Sequence, residues 1–117
     1  MESFSKDFRL LNKPLFDRVF QKAKKVYFPE FLILFRENEA ENARLGLAVA
    51  KKSLAKAVDR NCCKRVVRES FRKTSLPKVD IIFISRRGLA QLSKSELKQK
   101  LQKAWVKLNV MQSKAAS

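Results

Sequence analysis

The 117-residue sequence contains no histidine and only two glycines. Histidine is the side chain whose ordinary pKa suits proton transfer near neutral pH, so its absence removes the usual general acid or base. A glycine-rich phosphate-binding loop cannot be built from Gly46 and Gly88. The carboxylates Asp17, Asp59 and Asp80 fall on separate predicted elements. The sequence therefore argues against phosphodiester hydrolysis by this chain itself, and predicts no catalytic residue and no metal site.

Cysteine is also scarce, and the two cysteines, Cys62 and Cys63, are neighbours. Adjacent residues cannot cross-link distant parts of a fold, and no second pair is available to complete a zinc site. We interpret both as small apolar residues on the buried side of a helix. The alternative is a reactive thiol whose pKa is lowered by neighbouring Arg and Lys side chains.

Long apolar runs are missing. Stretches such as Phe31–Phe35 are far shorter than the roughly 20 residues of a membrane-spanning helix. The first residues, MESFSKDFRLLNK, include acids and have no apolar centre, so they do not resemble a secretory signal. We expect a cytoplasmic protein without a membrane partner. Its length fits one domain over residues 1–117, with an extended arm at 1–11 and a frayed tail at 110–117.

Acidic residues are few: 11 stand against 27 Lys and Arg, which gives a net charge of +16. The apolar fraction of 45% is that of a folded domain, so disorder does not explain the charge. A folded domain this basic most often binds a polyanion, usually a nucleic acid. The one acidic cluster, at residues 37–44 (ENEAENAR), is predicted to be a solvated hairpin loop rather than a cation site.

The positive charge is densest in residues 51–73, KKSLAKAVDRNCCKRVVRESFRK. At 100° per residue one half of the helical wheel holds Arg60, Asn61, Lys64, Arg65, Arg68 and Arg72. The other half holds Cys62, Cys63, Val66, Val67, Ser70 and Phe71. Like charges three or four residues apart repel, so this arrangement costs helix stability unless a polyanion neutralises it. The pattern predicts a helix that packs with one side and binds a polyanion with the other.

Four strands are predicted, at residues 25–28, 31–36, 45–50 and 80–86. Pro29 separates the first two, and the continuous apolar run of the last, DIIFISR, is typical of a buried central strand. In LGLAVA the residues expected to face the core are Leu45, Leu47 and Val49. The opposite side would be a low, open floor for a nucleotide chain, made by Gly46, Ala48 and Ala50 with Lys51 and Lys52 at its mouth.

Two further helices flank these elements. Asn12 is a predicted N-cap of the first, and Phe16 and Phe20 lie four residues apart on its apolar stripe, a spacing more often found in a core. Ser93 and Glu96 form a capping box for the last helix. The resulting order, helix, three strands, helix, strand and helix, predicts an α+β fold with helices packed on one small sheet.

Residues 51–73 resemble the signature of bacterial ribonuclease P protein subunits, a Lys-Lys pair followed by Ala-Val-x-Arg-Asn-x-x-Lys-Arg-x-x-Arg-Glu-x-Phe-Arg. The matching residues are Lys51, Lys52, Ala57, Val58, Arg60, Asn61, Lys64, Arg65, Arg68, Glu69, Phe71 and Arg72. Ala55 and Lys56 stand where many members have Gly-Asn. The resemblance implies an α-β-β-β-α-β-α sandwich whose four-stranded sheet contains a left-handed β-α-β crossover.

The same resemblance implies a role in removing the 5′ leader of precursor tRNA. Cleavage would be carried out by a catalytic RNA subunit, which would bind most of the Mg²⁺ needed, so the partners would be that RNA and precursor tRNA, without DNA. Contacts to the RNA subunit are implied for Arg60, Asn61, Lys64, Arg65, Arg68 and Arg72. A cleft for the single-stranded leader is implied at Phe16, Phe20, Leu34, Ala48, Ala50, Lys51 and Lys52, with aromatic rings stacking on bases and apolar contact at Leu34.

Three alternatives use the same residues differently. A general RNA-binding or ribosomal protein would have the basic helix but no ribozyme partner. A DNA-binding regulator is less favoured, because the basic helix lacks the compact turn and second helix of that motif. A nuclease acting without RNA is least favoured, since the residues that catalysis needs are missing. Cleavage of precursor tRNA by the protein without RNA would favour the nuclease.

Overall fold

The computed structural model describes residues 13–116, with side chains described from Lys13 to Ser113. The elements in chain order are α1 Lys13–Gln21, β1 Lys24–Tyr27, β2 Phe31–Glu37, β3 Arg44–Ala48, α2 Ala57–Lys73, β4 Val79–Ser85, a 3₁₀ helix Arg87–Gln91 and α3 Lys94–Ala116. This order confirms the predicted α+β fold class and the succession of helices and strands. The predicted arm at residues 1–11 and the predicted cap Asn12 lie outside the described residues.

The four strands form one mixed sheet in the order β1-β2-β4-β3. Antiparallel pairs join β1 to β2 and β2 to β4, whereas β3 runs parallel to β4. Because β4 lies between β2 and β3, the predicted hairpin at residues 37–44 is wrong: this segment connects two strands that are not neighbours. The parallel pair is joined through α2, as parallel strands require a crossover. The left hand of that crossover stays a prediction.

One face of the sheet carries α2 and α3. Alternate strand residues, among them Ile33, Phe35, Ile81 and Phe83, form a continuous core with the apolar sides of both helices. The indole of Trp105 is also in this core and donates a hydrogen bond from Nε1 to Ser70 Oγ at 2.8 Å. This contact fastens α3 to α2, so the position of the basic helix depends on the core beneath it.

The other face carries α1 and a smaller core. Val19 of α1 packs against Leu34 and Ile82, which alternate with the residues of the larger core. Arg36 donates a hydrogen bond from its guanidinium to the carbonyl oxygen of Arg18 at 2.7 Å, which satisfies one of the carbonyls left without a partner near the end of α1. One short helix therefore covers only part of this face.

The sheet is also held at one end by a buried carboxylate, Asp80. Arg44 contacts both carboxylate oxygens, with Nε 2.7 Å from Oδ1 and a terminal nitrogen 3.0 Å from Oδ2. Asn38 donates a further hydrogen bond to Oδ1 at 2.8 Å. These contacts join β3, β4 and the segment after β2, and they satisfy the charge that the fold buries.

The start of α3 confirms the predicted capping box. The backbone N–H of Ser93 donates to Glu96 Oε1 at 2.8 Å, and the backbone N–H of Glu96 donates to Ser93 Oγ at 3.1 Å. The hydrogen bond from the Ser93 backbone, followed by the bonding to its hydroxyl, holds the pKa of Glu96 below its ordinary value. The helix begins where the sequence places it.

The described end of α3 is helical where a frayed tail is predicted at residues 110–117, of which Ser117 lies outside the described residues. The helix continues to Ala116, Met111 packs against the larger core, and Gln112 is buried with its amide 3.4 Å from Glu37 Oε2. These residues include no proline or glycine that would end the helix, and tertiary contacts stabilise its last described turns.

Candidate nucleic-acid interface

The basic helix α2 has the predicted apolar side. Cys63, Val66, Val67 and Phe71 are buried in the larger core. Burial of the Cys63 thiol raises its pKa to about 11, with a smaller rise from Cys62 and a lowering by Lys64. The interpretation of Cys63 as an inert core residue is therefore favoured over a reactive thiol.

The cationic residues of α2 lie away from that core. Asn61 and Arg65 are exposed. Four residues are half-buried along the margin of the helix: Arg60, Lys64, Arg68 and Arg72. At 100° per residue, Lys64 and Arg68 lie on the side of α2 away from Ser70, which contacts α3, whereas Arg60 lies between the buried Val67 and Phe71. All six predicted RNA-contact residues are thus carried by one helix, two of them exposed and four half-buried beside the larger core.

Two of these arginines have local surroundings that the sequence does not reveal. The guanidinium of Arg60 donates to the carbonyl oxygens of Leu54 and Ala55 at 2.9 and 2.8 Å, so it also fixes the loop that precedes α2. Arg68 Nε is buried without an acceptor among the described residues. An arginine stem that is partly fixed loses less freedom when its remaining N–H groups bind an anion.

The segment between β3 and α2 does not use the left-handed turn that a Gly-Asn pair could adopt. Among the described residues no backbone has a positive φ, and Lys56 is extended with φ −86° and ψ 135°. Ala55 and Lys56 fit this conformation without strain. Ahead of them the backbone N–H of Ala50 donates to Ser85 Oγ at 2.9 Å, and Lys51 and Lys52 follow on an exposed turn. This turn places both ammonium groups at the end of β3.

On the opposite face of the sheet, Phe16 lies directly over Gly46. A Cβ built at Gly46 would come within 2.5 Å of the Phe16 ring, so the close approach requires glycine. Phe20 lies one helical turn further along α1, with its ring centroid 6.3 Å from that of Phe16, and is 53% exposed. Phe20 is therefore not the core residue that its spacing suggests.

The structure disagrees with the placement of Leu34 in a leader cleft. Leu34 is 5% exposed and lies beneath α1, packed with Val19 and Ile82. The covering helix, which sequence periodicity cannot position over a particular strand residue, removes it from the surface. Leu34 is a residue of the smaller core and offers almost no surface for contact.

The uncovered part of this face is the next row across the sheet. Cα pairing aligns Tyr27 with Leu32, Leu32 with Ile84, and Ile84 with Ala48. Leu32, Ile84 and Ala48 are half-buried, and Tyr27 is exposed. Sequence reasoning found Ala48 but missed the other three, because only strand register shows which residues share its row. The alternation of β2, with Leu32 on the side of Leu34, was the available signal.

The two predicted binding surfaces lie on opposite faces of the sheet. The cationic side of α2 is above the larger core, whereas Phe16, Phe20 and Ala48 belong to the face that α1 partly covers. The chain passes from one face of the sheet to the other at the β3 edge, through residues 49–56, which include Ala50, Lys51 and Lys52. The structure does not form one compact site but two surfaces joined by a basic turn.

Within residues 13–113, no three His, Cys, Asp or Glu side chains cluster as ligands for a metal ion. Between Lys13 and Ala116, the helices lack the combined length and apolarity needed to cross a bilayer.

Comparisons with known proteins identify the family of the chain. The family model described as ribonuclease P matches residues 4–109. The ribonuclease P protein component of Legionella pneumophila (strain Corby) is 54% identical over 108 residues, covering 92% of this chain and 95% of the relative. That of Pseudoalteromonas atlantica (strain T6c / ATCC BAA-1087) is 47% identical over 108 residues, covering 91% and 90%.

Solved structures show the same fold. The ribonuclease P protein of Staphylococcus aureus superposes with a TM-score of 0.80 at 29% identity, covering 87% of this chain and 97% of that one. The protein from Thermotoga maritima gives 0.71 at 33% identity, covering 83% and 94%. With the family model matching residues 4–109, these similarities extend over nearly the whole chain and include the basic helix. The chain belongs to the ribonuclease P protein family.

Proposed function

We propose that this chain is the protein subunit of ribonuclease P and takes part in the endonucleolytic removal of 5′ leaders from precursor tRNA. The observation that carries the proposal is the basic helix α2, whose six predicted RNA-contact residues all lie outside the protein core. Relatives at 54% and 47% identity are named ribonuclease P protein components, which supports the same assignment. A cytoplasmic location stays a prediction.

In this proposal the phosphodiester is cut by the RNA subunit with Mg²⁺. The sequence has no histidine, and the described residues offer no cluster of ligands into which Mg²⁺ would fit. The protein would then neutralise phosphate charge and position the substrate. Cations that neutralise phosphates allow two polyanions, the RNA subunit and the substrate, to approach each other.

The cationic side of α2 binds the RNA subunit. Arg65 and Asn61 are exposed at its centre, and Lys64, Arg68 and Arg72 flank them. Guanidinium groups suit this task because their planar N–H donors pair with phosphate oxygens in two-pronged contacts. Arg60 contributes the N–H groups that its bonds to the Leu54 and Ala55 carbonyls leave open.

The face beneath α1 binds the leader. Phe20 is exposed, the adjoining row of Leu32, Ile84 and Ala48 forms an apolar floor, and Lys51 and Lys52 stand at its β3 end. Aromatic rings stack on any unpaired base, which suits a protein that accepts leaders of different sequence. The lysines would bind phosphates of the same strand.

Reconstitution tests the proposal. Precursor tRNA is incubated with Mg²⁺ and the purified chain, with the RNA subunit, or with both. We expect the chain to increase cleavage by the RNA subunit at physiological salt and to produce no cleavage by itself. Cleavage by the chain without RNA would support a nuclease, and an RNA subunit that gains nothing from the chain would contradict the proposal.

Filter binding across a salt series tests the electrostatic part. If about six phosphates are neutralised, the logarithm of the association constant for the RNA subunit should fall against the logarithm of salt with a slope of magnitude about 4–5. A slope near zero would show that α2 does not bind RNA through its cations.

A further inference from the structure

Tyr27 is the exposed aromatic residue of the uncovered row, and the proposed function gives it no role. It ends β1, its ring is 60% exposed, and the guanidinium carbon of Arg86 lies 4.7 Å from the ring centroid. Arg86 is exposed as well. With the guanidinium over the ring, Tyr27 and Arg86 each present a planar group at the surface that can stack on a nucleobase.

The position of this pair relates it to the leader surface. Tyr27 terminates the uncovered row that continues through Leu32 and Ile84 to Ala48. Three strand spacings separate the ends of the row, a span of about 14 Å. Arg86 follows β4 two residues after Ile84, on the same side of the strand by alternation, and its backbone N–H is bonded to the Glu30 carbonyl at 3.1 Å. The row therefore has lysines at one end and the cation–π pair of Arg86 and Tyr27 at the other.

A structural role accounts poorly for this pair, as the neighbouring Phe28 shows. The Phe28 ring is 7% exposed and stacks on Phe31. The ammonium groups of Lys100 and Lys107 lie 5.7 and 5.2 Å from its centroid, so these cation contacts cover a residue of the core. Tyr27 does not cover the core in this way, because most of its ring is exposed to solvent. An exposed cation–π contact stabilises a fold only slightly.

We propose that Tyr27 and Arg86 form a stacking site for an unpaired nucleotide of the precursor tRNA leader, at the β1 end of the uncovered row. This inference rests on the proposed function, because it extends the leader path across the whole sheet from Lys51 to Tyr27. The base stacks on the phenol ring or on the guanidinium plane, and Arg87, exposed beside Arg86, is placed to bind a phosphate. Because stacking requires only a flat base, the site does not select leader sequence.

The test measures where the leader lies on the complete holoenzyme. Precursor tRNAs carry 2-aminopurine at successive leader positions, and its fluorescence reports stacking when each precursor binds. With the wild-type chain we expect at least one leader position whose quenching is lost in Tyr27→Ala and retained in Tyr27→Phe, which keeps the ring. The dissociation constant for precursor should rise about 5- to 150-fold in Tyr27→Ala and stay unchanged for mature tRNA.

Matched controls separate this result from a loss of folding. Val106→Ala alters a similarly exposed apolar residue on α3, 62% exposed, and should leave precursor binding unchanged. Thermal unfolding of Tyr27→Ala should match the wild type, since the ring is not in the core. Arg86→Gln should lose part of the affinity that Tyr27→Ala loses, and the double variant should lose less than the sum.

The outcomes distinguish this inference from the function on which it rests. If Tyr27→Ala binds precursor as the wild type does while Phe20→Ala does not, the leader surface exists and the Tyr27 site does not. If Tyr27→Ala weakens binding of the RNA subunit in the absence of tRNA, the stacked nucleotide belongs to that RNA and the leader assignment is overturned. If wild-type chain fails to bind the RNA subunit, the proposed function itself fails.

Discussion

The two faces of the sheet are covered by helices to different extents. One is closed by α2 and α3 over a core that includes Trp105, Phe31 and Phe83. The other is closed by α1 along a single row, and the next row, from Tyr27 to Ala48, is left partly open. Apolar surface that a fold can cover but leaves open is commonly a binding site.

This difference in coverage assigns folding stability to the closed face and substrate contact to the open face. Residues of the closed face determine whether α2 is held in place, and the cationic residues of α2 are exposed or half-buried outside that core. Exposed residues of the open face, such as Phe20 and Tyr27, add little to the core, so substitutions there should change binding with a small cost in folding. The predictions below test this separation, beginning with the largest expected effect.

Replacement of Trp105 should have the largest effect. The side chain is 1% exposed and its Nε1–H bonds to Ser70, so Trp105→Ala removes a large core volume and a link between α3 and α2. We expect the free energy of unfolding to fall by about 3–5 kcal/mol in denaturant titrations. Val106→Ala, at the exposed next position, should change it by less than about 0.5 kcal/mol. Equal effects would show that the closed face is not the source of stability.

A smaller effect is expected at Gly46. A methyl group there would overlap the end of the Phe16 ring, so Gly46→Ala must displace the ring. We expect a loss of about 1 kcal/mol in unfolding free energy, near the lower end of overpacking costs because the far end of a side chain can move. Precursor tRNA should bind more weakly, while RNA-subunit binding stays unchanged.

A second variant separates the loss of stability from the loss of precursor tRNA binding. Combining Gly46→Ala with Phe16→Leu removes the overlap, so stability should recover and leader affinity should not. Recovery of both would mean that the Phe16 ring has no part in binding the leader.

The smallest expected effect concerns the cysteines of the closed face. Since burial raises the pKa of Cys63 to about 11, its thiol keeps its proton at pH 8 and alkylates slowly, with reaction increasing only as the pH approaches 11. The half-buried Cys62 should alkylate first. Mass spectrometry of Cys62→Ser and Cys63→Ser variants measures each thiol separately, and denatured protein serves as the control. Rapid reaction of Cys63 at pH 8 in folded protein would place it outside the core.

Sequence periodicity was sufficient for the order of the α-helices and strands and for the buried side of α2, but it did not predict the 3₁₀ helix or the exposure of Phe20. The apolar half of α2, the central position of β4 and the capping box of α3 depend on residues close together in sequence, and the structure confirms all three. Local signals of this kind are fixed by helical or strand geometry before any long-range contact forms.

Long-range pairing was the part that periodicity could not supply. The acidic segment 37–44 has the composition of a hairpin turn, yet β4 pairs between the strands that it connects. Leu34 and Leu32 are equivalent in the sequence pattern, and only the position of α1 buries one and leaves the other half-exposed. The end of α3 likewise depends on contacts of Met111 and Gln112 with distant residues.

The most direct test compares Arg65→Ala and Phe20→Ala in RNA-subunit, precursor tRNA and mature tRNA binding. We predict that Arg65→Ala weakens assembly with the RNA subunit whatever the substrate. Phe20→Ala should melt like the wild type, assemble normally and lose about 1–3 kcal/mol of affinity for precursor but none for mature tRNA. Equal losses for precursor and mature tRNA in both variants would contradict the assignment of the two faces to different RNAs.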